Sequence, residues 1–174
     1  MRWTIRLGGT AVVTVLLTYP LWAPGLGSGI LGEVWALGWP GGLIGILGFF
    51  GLVALYCRQL QRLLTLVRPQ ARPVSPRSVW WMFAIPFNFV EDFFIVGNIS
   101  AGLSADGRLP QRIAQRWTRV GYCWCGFQIL SLCPGRPGYL GGAVAVVLWL
   151  THWVQTTRAA SMLEVRPTDA LATV

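Results

Sequence analysis

The 174-residue sequence contains no lysine, a single histidine and only six acidic residues. At 11% charged, it has too few polar side chains to cover a soluble domain, for which about a quarter charged is usual. A large soluble core is therefore excluded as the fold class. Also missing are a nucleophile elbow, a phosphate-binding P-loop, a dinucleotide fingerprint and a zinc-protease motif, so no enzyme class finds support in a motif. Histidine is too scarce for a bis-histidine haem held by this chain alone.

Apolar residues are abundant at 54%, with ten Trp and twenty-one Gly. This is the usage of a membrane protein, in which Trp gathers at the interfaces and Gly is tolerated in helices. All fourteen basic residues are Arg and the net charge is +8. A basic balance can signal nucleic acid, but here the Arg residues fall between the apolar runs, as cytoplasmic loops require. Nucleic acid is not an expected partner; membrane lipid is.

The apolar runs predict spans at about 5–23, 37–57, 118–134 and 139–156. The first has basic residues before it but no small-x-small cleavage site in "TYPLWAPG", so it reads as an uncleaved anchor. The last two runs are separated by "GRPG", a tight turn between antiparallel helices. A further apolar stretch, "WWMFAIPFNFVEDFFIVGNIS", holds Asn88, Glu91 and Asp92 at its centre. If it crossed the bilayer, one of the Arg-rich segments 58–78 and 104–119 would lie outside, against the positive-inside rule. The stretch therefore reads as an interfacial or re-entrant amphipathic helix at about 79–103, which Pro86 kinks or restarts. Asn88, Glu91, Asp92 and Asn98 share one broad face, and Ile95 is the apolar exception on it. The alternative is a fifth span.

The expected architecture is thus an all-α integral membrane protein. Four transmembrane helices form two hairpins with one interfacial or re-entrant helix, in a single membrane domain over 1–174. Both termini are expected to be cytoplasmic, with Arg158 and Arg166 in the tail, and the membrane to be a bacterial inner membrane.

Three sets of residues stand out. Gly38, Gly41, Gly42, Gly45 and Gly48 recur every three or four positions and give the second span a small-residue stripe for close helix packing. Asn88, Glu91 and Asp92 form either a structural anchor or a polar transport site; as an anchor the acids would pair with Arg residues such as Arg77 and Arg112. His152, in "LWLTHWVQ", is either a cofactor ligand or an interhelical hydrogen-bonding residue. Cys57, Cys123, Cys125 and Cys133 carry no strong metal spacing, since positions i and i+2 diverge on a helix. No metal and no cofactor is expected beyond the His152 alternative.

Two segments carry a resemblance. "WWMFAIPFNFVEDFFIV" and "LCPGRPGYLGGAVAVVLWLTHWV", through Trp81, Ile85, Pro86, Asn88, Trp149, His152 and Trp153, are similar to small bacterial polytopic inner-membrane proteins with Trp…Ile-Pro-x-Phe-Asn-like and Leu-Trp-x-x-His-Trp-like segments. The likeness covers about residues 78–155. It departs from the pattern in Phe87 directly after Pro86 and in acids where aromatic residues are common. It implies a polytopic membrane protein and supplies no activity. The expected function is that of an accessory or scaffold subunit of a larger membrane complex, packing through Gly-rich and aromatic helix faces against other subunits or its own copies. The alternative is a small oligomeric transporter or channel using Asn88, Glu91 and Asp92.

Overall fold

The computed structural model describes residues 2–165; Met1 and residues 166–174, including Arg166, lie outside the described residues. Those described are helical, with no strand among them. The α-helices are α1 (Arg2–Trp22), α2 (Gly29–Ala36), α3 (Gly38–Leu66), α4 (Asn88–Asp106), α5 (Gln111–Leu130) and α6 (Arg136–Val165). Short 3₁₀ segments cover Pro24–Leu26, Pro69–Ala71 and Pro76–Phe83. Three helices, α1, α3 and α6, are long and apolar enough to cross a membrane.

Several boundaries follow from local chemistry. α3 outruns its apolar stretch by more than two turns because Arg58, Gln59, Leu60, Gln61, Arg62, Leu63 and Leu64 are all good helix formers. The stretch containing Pro86 divides into a 3₁₀ segment ending at Phe83 and an α-helix starting at Asn88. Proline disfavours helical geometry at Ile85 before it and cannot donate in a helix interior. α4 ends at Gly107, whose φ of 70° is the left-handed conformation of a helix C-cap. In the first turn of α6, a Cβ on Gly138 would lie 2.0 Å from the Cys133 carbonyl oxygen, so only glycine fits there.

The packing order differs from the expected two hairpins. α5 and α6 do form an antiparallel hairpin, whereas α1 rests mainly on α4 and α2 and α3 on α6. The core lies where α3, α4, α5 and α6 meet, around Tyr56, Cys57, Leu60, Leu64, Val96, Ile99, Trp117 and Cys125.

The segment between α3 and α5 takes a there-and-back path. Leaving the end of α3, the chain runs back along that helix through 76–83. Trp80 Nε1 donates to Gln61 Oε1 at 2.7 Å, Cys57 Sγ contacts the Val79 carbonyl, and Phe83 stacks on Phe50 at 5.9 Å. Gln61 to Phe50 is about 16 Å of helix. After the turn at 84–87, α4 returns, bringing Asp106 beside Arg68 just past the α3 terminus. The unit 76–106 therefore enters and leaves at the same end of the bundle, the Arg-rich one. Glu164 near the end of α6 pairs with Arg62 at 2.7 Å at that same end.

Candidate functional site

α4 carries the polar residues of the unit, and the structure places them inside rather than on a water-facing side. Asn88 is 8% exposed, Glu91 6% and Asp92 2%. This corrects the expectation of an amphipathic helix turning its polar face to the headgroups. It also accounts for Ile95, 3% exposed, on that face: the face packs against α1, α3 and α5, so an apolar residue belongs on it.

The two adjacent acids are treated differently. Glu91 meets Arg6 of α1, with Nη2 donating to Oε1 at 3.0 Å and Nε 2.9 Å from Oε2. The same guanidinium lies 4.4 Å from the centre of the Phe94 ring and 5.3 Å from that of Trp3, a cation–π arrangement. Arg77 and Arg112, the cations expected for this role, are exposed, and the ion-pair partner of Glu91 is Arg6. Asp92 has no cation beside it among the described residues. The Gln128 side chain of α5 faces its carboxyl and is placed to donate to it, and Tyr56, Cys57 and Cys125 lie within electrostatic range. Asp92 Oδ1, Asn88 Oδ1 and Gln128 Oε1 are buried without a hydrogen-bond donor.

His152 of α6 is fully buried. Its Nδ1 shares a 2.5 Å hydrogen bond with the Tyr56 hydroxyl of α3. The Trp117 ring of α5 lies tilted against the imidazole with centroids 4.4 Å apart, and its Nε1 donates to Thr156 Oγ1 at 2.9 Å. Thr156 in turn donates to the His152 carbonyl at 2.8 Å. A Cβ on Gly121 would fall 2.7 Å from His152 Nε2 and 2.9 Å from Val96, so α5 closes onto the imidazole only because this residue has no side chain. One ring nitrogen of His152 is taken by Tyr56, and the other, buried without a hydrogen-bond partner, faces Gly121, so the residue clamps α3, α5 and α6 together.

The glycine stripe divides. Gly42 is buried, with its Cα toward the Val34 carbonyl of α2, and Gly41 and Gly45 lie near Leu37. Gly38 takes φ +63° at the head of α3, and a Cβ on Gly48 would meet nothing within 4 Å. Among the described residues no three His, Cys, Asp or Glu side chains gather as a metal site.

A different acid organises the Arg-rich end. Asp106, 2% exposed, accepts from the Arg68 backbone N–H at 2.7 Å and from Arg108 Nε and Nη2 at 2.6 and 2.8 Å. Arg108 also reaches the Leu66 carbonyl at 2.6 Å. The Arg108 hydrogen bonds, aided by Arg68 and opposed by burial, hold the Asp106 carboxyl at about 2. Sequence reasoning passed over Tyr56, Gln128, Arg6 and Asp106. For Gln128 a signal was present, an amide inside an apolar run.

These features define an all-helical chain with three helices able to cross a membrane and a polar centre between them. No family model, curated protein or solved structure matches it.

Proposed function

We propose that the chain is an integral membrane protein of four spans with one re-entrant unit, working as a subunit that docks a transmembrane helix of another polypeptide. In this reading α1, α3, α5 and α6 cross, and 76–106 dips in and out from the cytoplasmic side of a bacterial inner membrane, with both ends of the chain on that side. Its support is the common end reached by Pro76, Asp106, Leu66 and Val165, which also carries the Arg-rich segments.

The docking reading rests on one observation. Ile44, Leu47, Gly48 and Gly51 fall at i, i+3, i+4 and i+7 of α3 and are all exposed, with nothing within 4 Å of where a Cβ would stand on either glycine. Two large side chains beside two absent ones make a ridge and a hollow on a single face, which suits close approach of a second helix. Lipid chains fill such a hollow less well than an interdigitating side chain does.

A photo-crosslinker at Leu47 tests this, with Val147, an exposed position on α6, as the control. The expected outcome is one defined hetero-adduct from position 47, absent at 147 and lost in Gly48→Leu, together with cytoplasmic signals from reporter fusions after both Arg68 and Arg112. An adduct only with a second copy of the chain would overturn the subunit reading in favour of self-association. Opposite reporter signals would overturn the re-entrant topology.

A further inference from the structure

We infer that Asp92, Asn88 and Gln128 form a binding site for a small monovalent cation, inside the segment read above as re-entrant. The case starts from acceptors without donors. Asp92 Oδ1, Asn88 Oδ1 and Gln128 Oε1 are all buried and unpartnered, and Asp92 and Asn88 are 2% and 8% exposed. Buried polar atoms are ordinarily paired, and in a membrane an unpaired one is especially costly. Asn88 and Asp92, four residues apart, project from one face of α4. Gln128 meets Asp92 from α5, so two elements converge.

The occupant's chemistry follows from the atoms and the charge. All three are oxygens, the ligands of hard cations rather than of transition metals, and no cluster of three His, Cys, Asp or Glu exists among the described residues. A proton on Asp92 would supply one donor, enough for one of the other two oxygens. A cation beside Asp92 would take lone pairs from more than one oxygen at once, which a single proton cannot.

The charge sets the valence. Glu91, beside Asp92 on α4, is neutralised by Arg6 from α1. The groups near Asp92 from the packed elements are Tyr56 and Cys57 on α3 and Cys125 on α5, side chains that are ordinarily uncharged at neutral pH. One negative charge remains, and one positive charge balances it. The site lies about 21 Å along α4 from Asp106, well inside the unit.

This inference does not depend on the docking partner, and its test uses the purified full chain alone. Thermal melts followed by tryptophan fluorescence in lipid nanodiscs should show the Tm rising with the logarithm of NaCl concentration, as binding to the folded state requires. Choline chloride at equal ionic strength should give no rise. Asp92→Asn should abolish the slope, while Asp106→Asn, remote from the site, should keep it. Should Asp92→Asn fail to fold, retention of radiolabelled Na⁺ by the wild-type chain decides. A flat response to NaCl, an equal response to choline chloride, or a Tm that answers to pH and not to Na⁺ would each overturn the cation site, the last by making a proton the occupant.

Discussion

The two halves of α3 live in opposite surroundings. From Tyr56 onward, Tyr56, Cys57, Leu60, Leu63 and Leu64 are all 1% exposed or less, enclosed by α4, α6 and the 76–83 segment. From Gly38 to Leu52, Gly42 is the only buried residue, and Trp39 and Ile44 are 84% and 67% exposed. Hydropathy alone would bury the outer half, which carries no charge, rather than the half with Arg58, Gln59, Gln61 and Arg62; neighbours decide otherwise. The chain completes its own core only where the 76–106 unit folds back against α3. Beyond the reach of Phe83 on Phe50, α3 depends on what surrounds it. A substitution in the inner half should therefore cost the fold, and one in the outer half should cost an assembly.

Gly121→Val gives the largest expected effect. The new side chain would meet His152 and Val96 at under 3 Å, driving α5 from α4 and α6, at a cost of about 1–3 kcal/mol for overpacking. Gly48→Val, on the bare half of α3, should leave the melting temperature of the isolated chain unchanged. Detergent melts of the two variants side by side check the comparison. Equal losses would mean that the outer half has an internal partner after all.

Asp106→Asn should cost somewhat less, about 1–2 kcal/mol, since water and salt reaching the Arg-rich end weaken the attraction between the carboxylate and Arg108. The sign of the pH dependence is fixed by the direction of the shift. The folded carboxyl sits at about 2 against an ordinary 3.8, so the ionised form favours the folded state. That stabilisation is fully present above about pH 4 and is lost as the pH falls through 2. In melts, the gap between the wild type and Asp106→Asn should be full at neutral pH and shrink as the pH is lowered towards and below 2. A constant gap between them would show that Asp106 acts by shape and not by charge.

Much of the architecture is legible in the sequence because hydropathy, Arg placement and Pro86 are local signals. The helices long and apolar enough to cross a membrane coincide with three of the apolar runs, and the interruption at Pro86 falls between the 76–83 segment and α4. What escapes is pairing over distance. Arg6 meets Glu91 across 85 positions and Tyr56 meets His152 across 96, and no periodicity encodes either. The polar face of α4 misleads for a related reason. The same spacing that turns Asn88, Glu91 and Asp92 to water on a surface helix turns them inward when other helices supply the partners. Which holds depends on Arg6 and Gln128, residues of other elements.

The smallest effect separates the clamp from ordinary packing. Tyr56→Phe keeps the ring and its edge contacts with Trp124 and Trp149 at 5.6 and 5.8 Å and removes only the hydroxyl on His152. The lost hydrogen bond and the buried nitrogen it leaves unpaired should together cost about 1 kcal/mol. His152→Phe on top of Tyr56→Phe should then cost less than the sum of the two single changes, because the second removes a group whose partner is already gone. The measurement is a double-mutant cycle on detergent melting temperatures. Strict additivity would mean that the 2.5 Å contact contributes nothing, and that the inner half of α3 is held by apolar packing alone, as the outer half would be if a helix covered it.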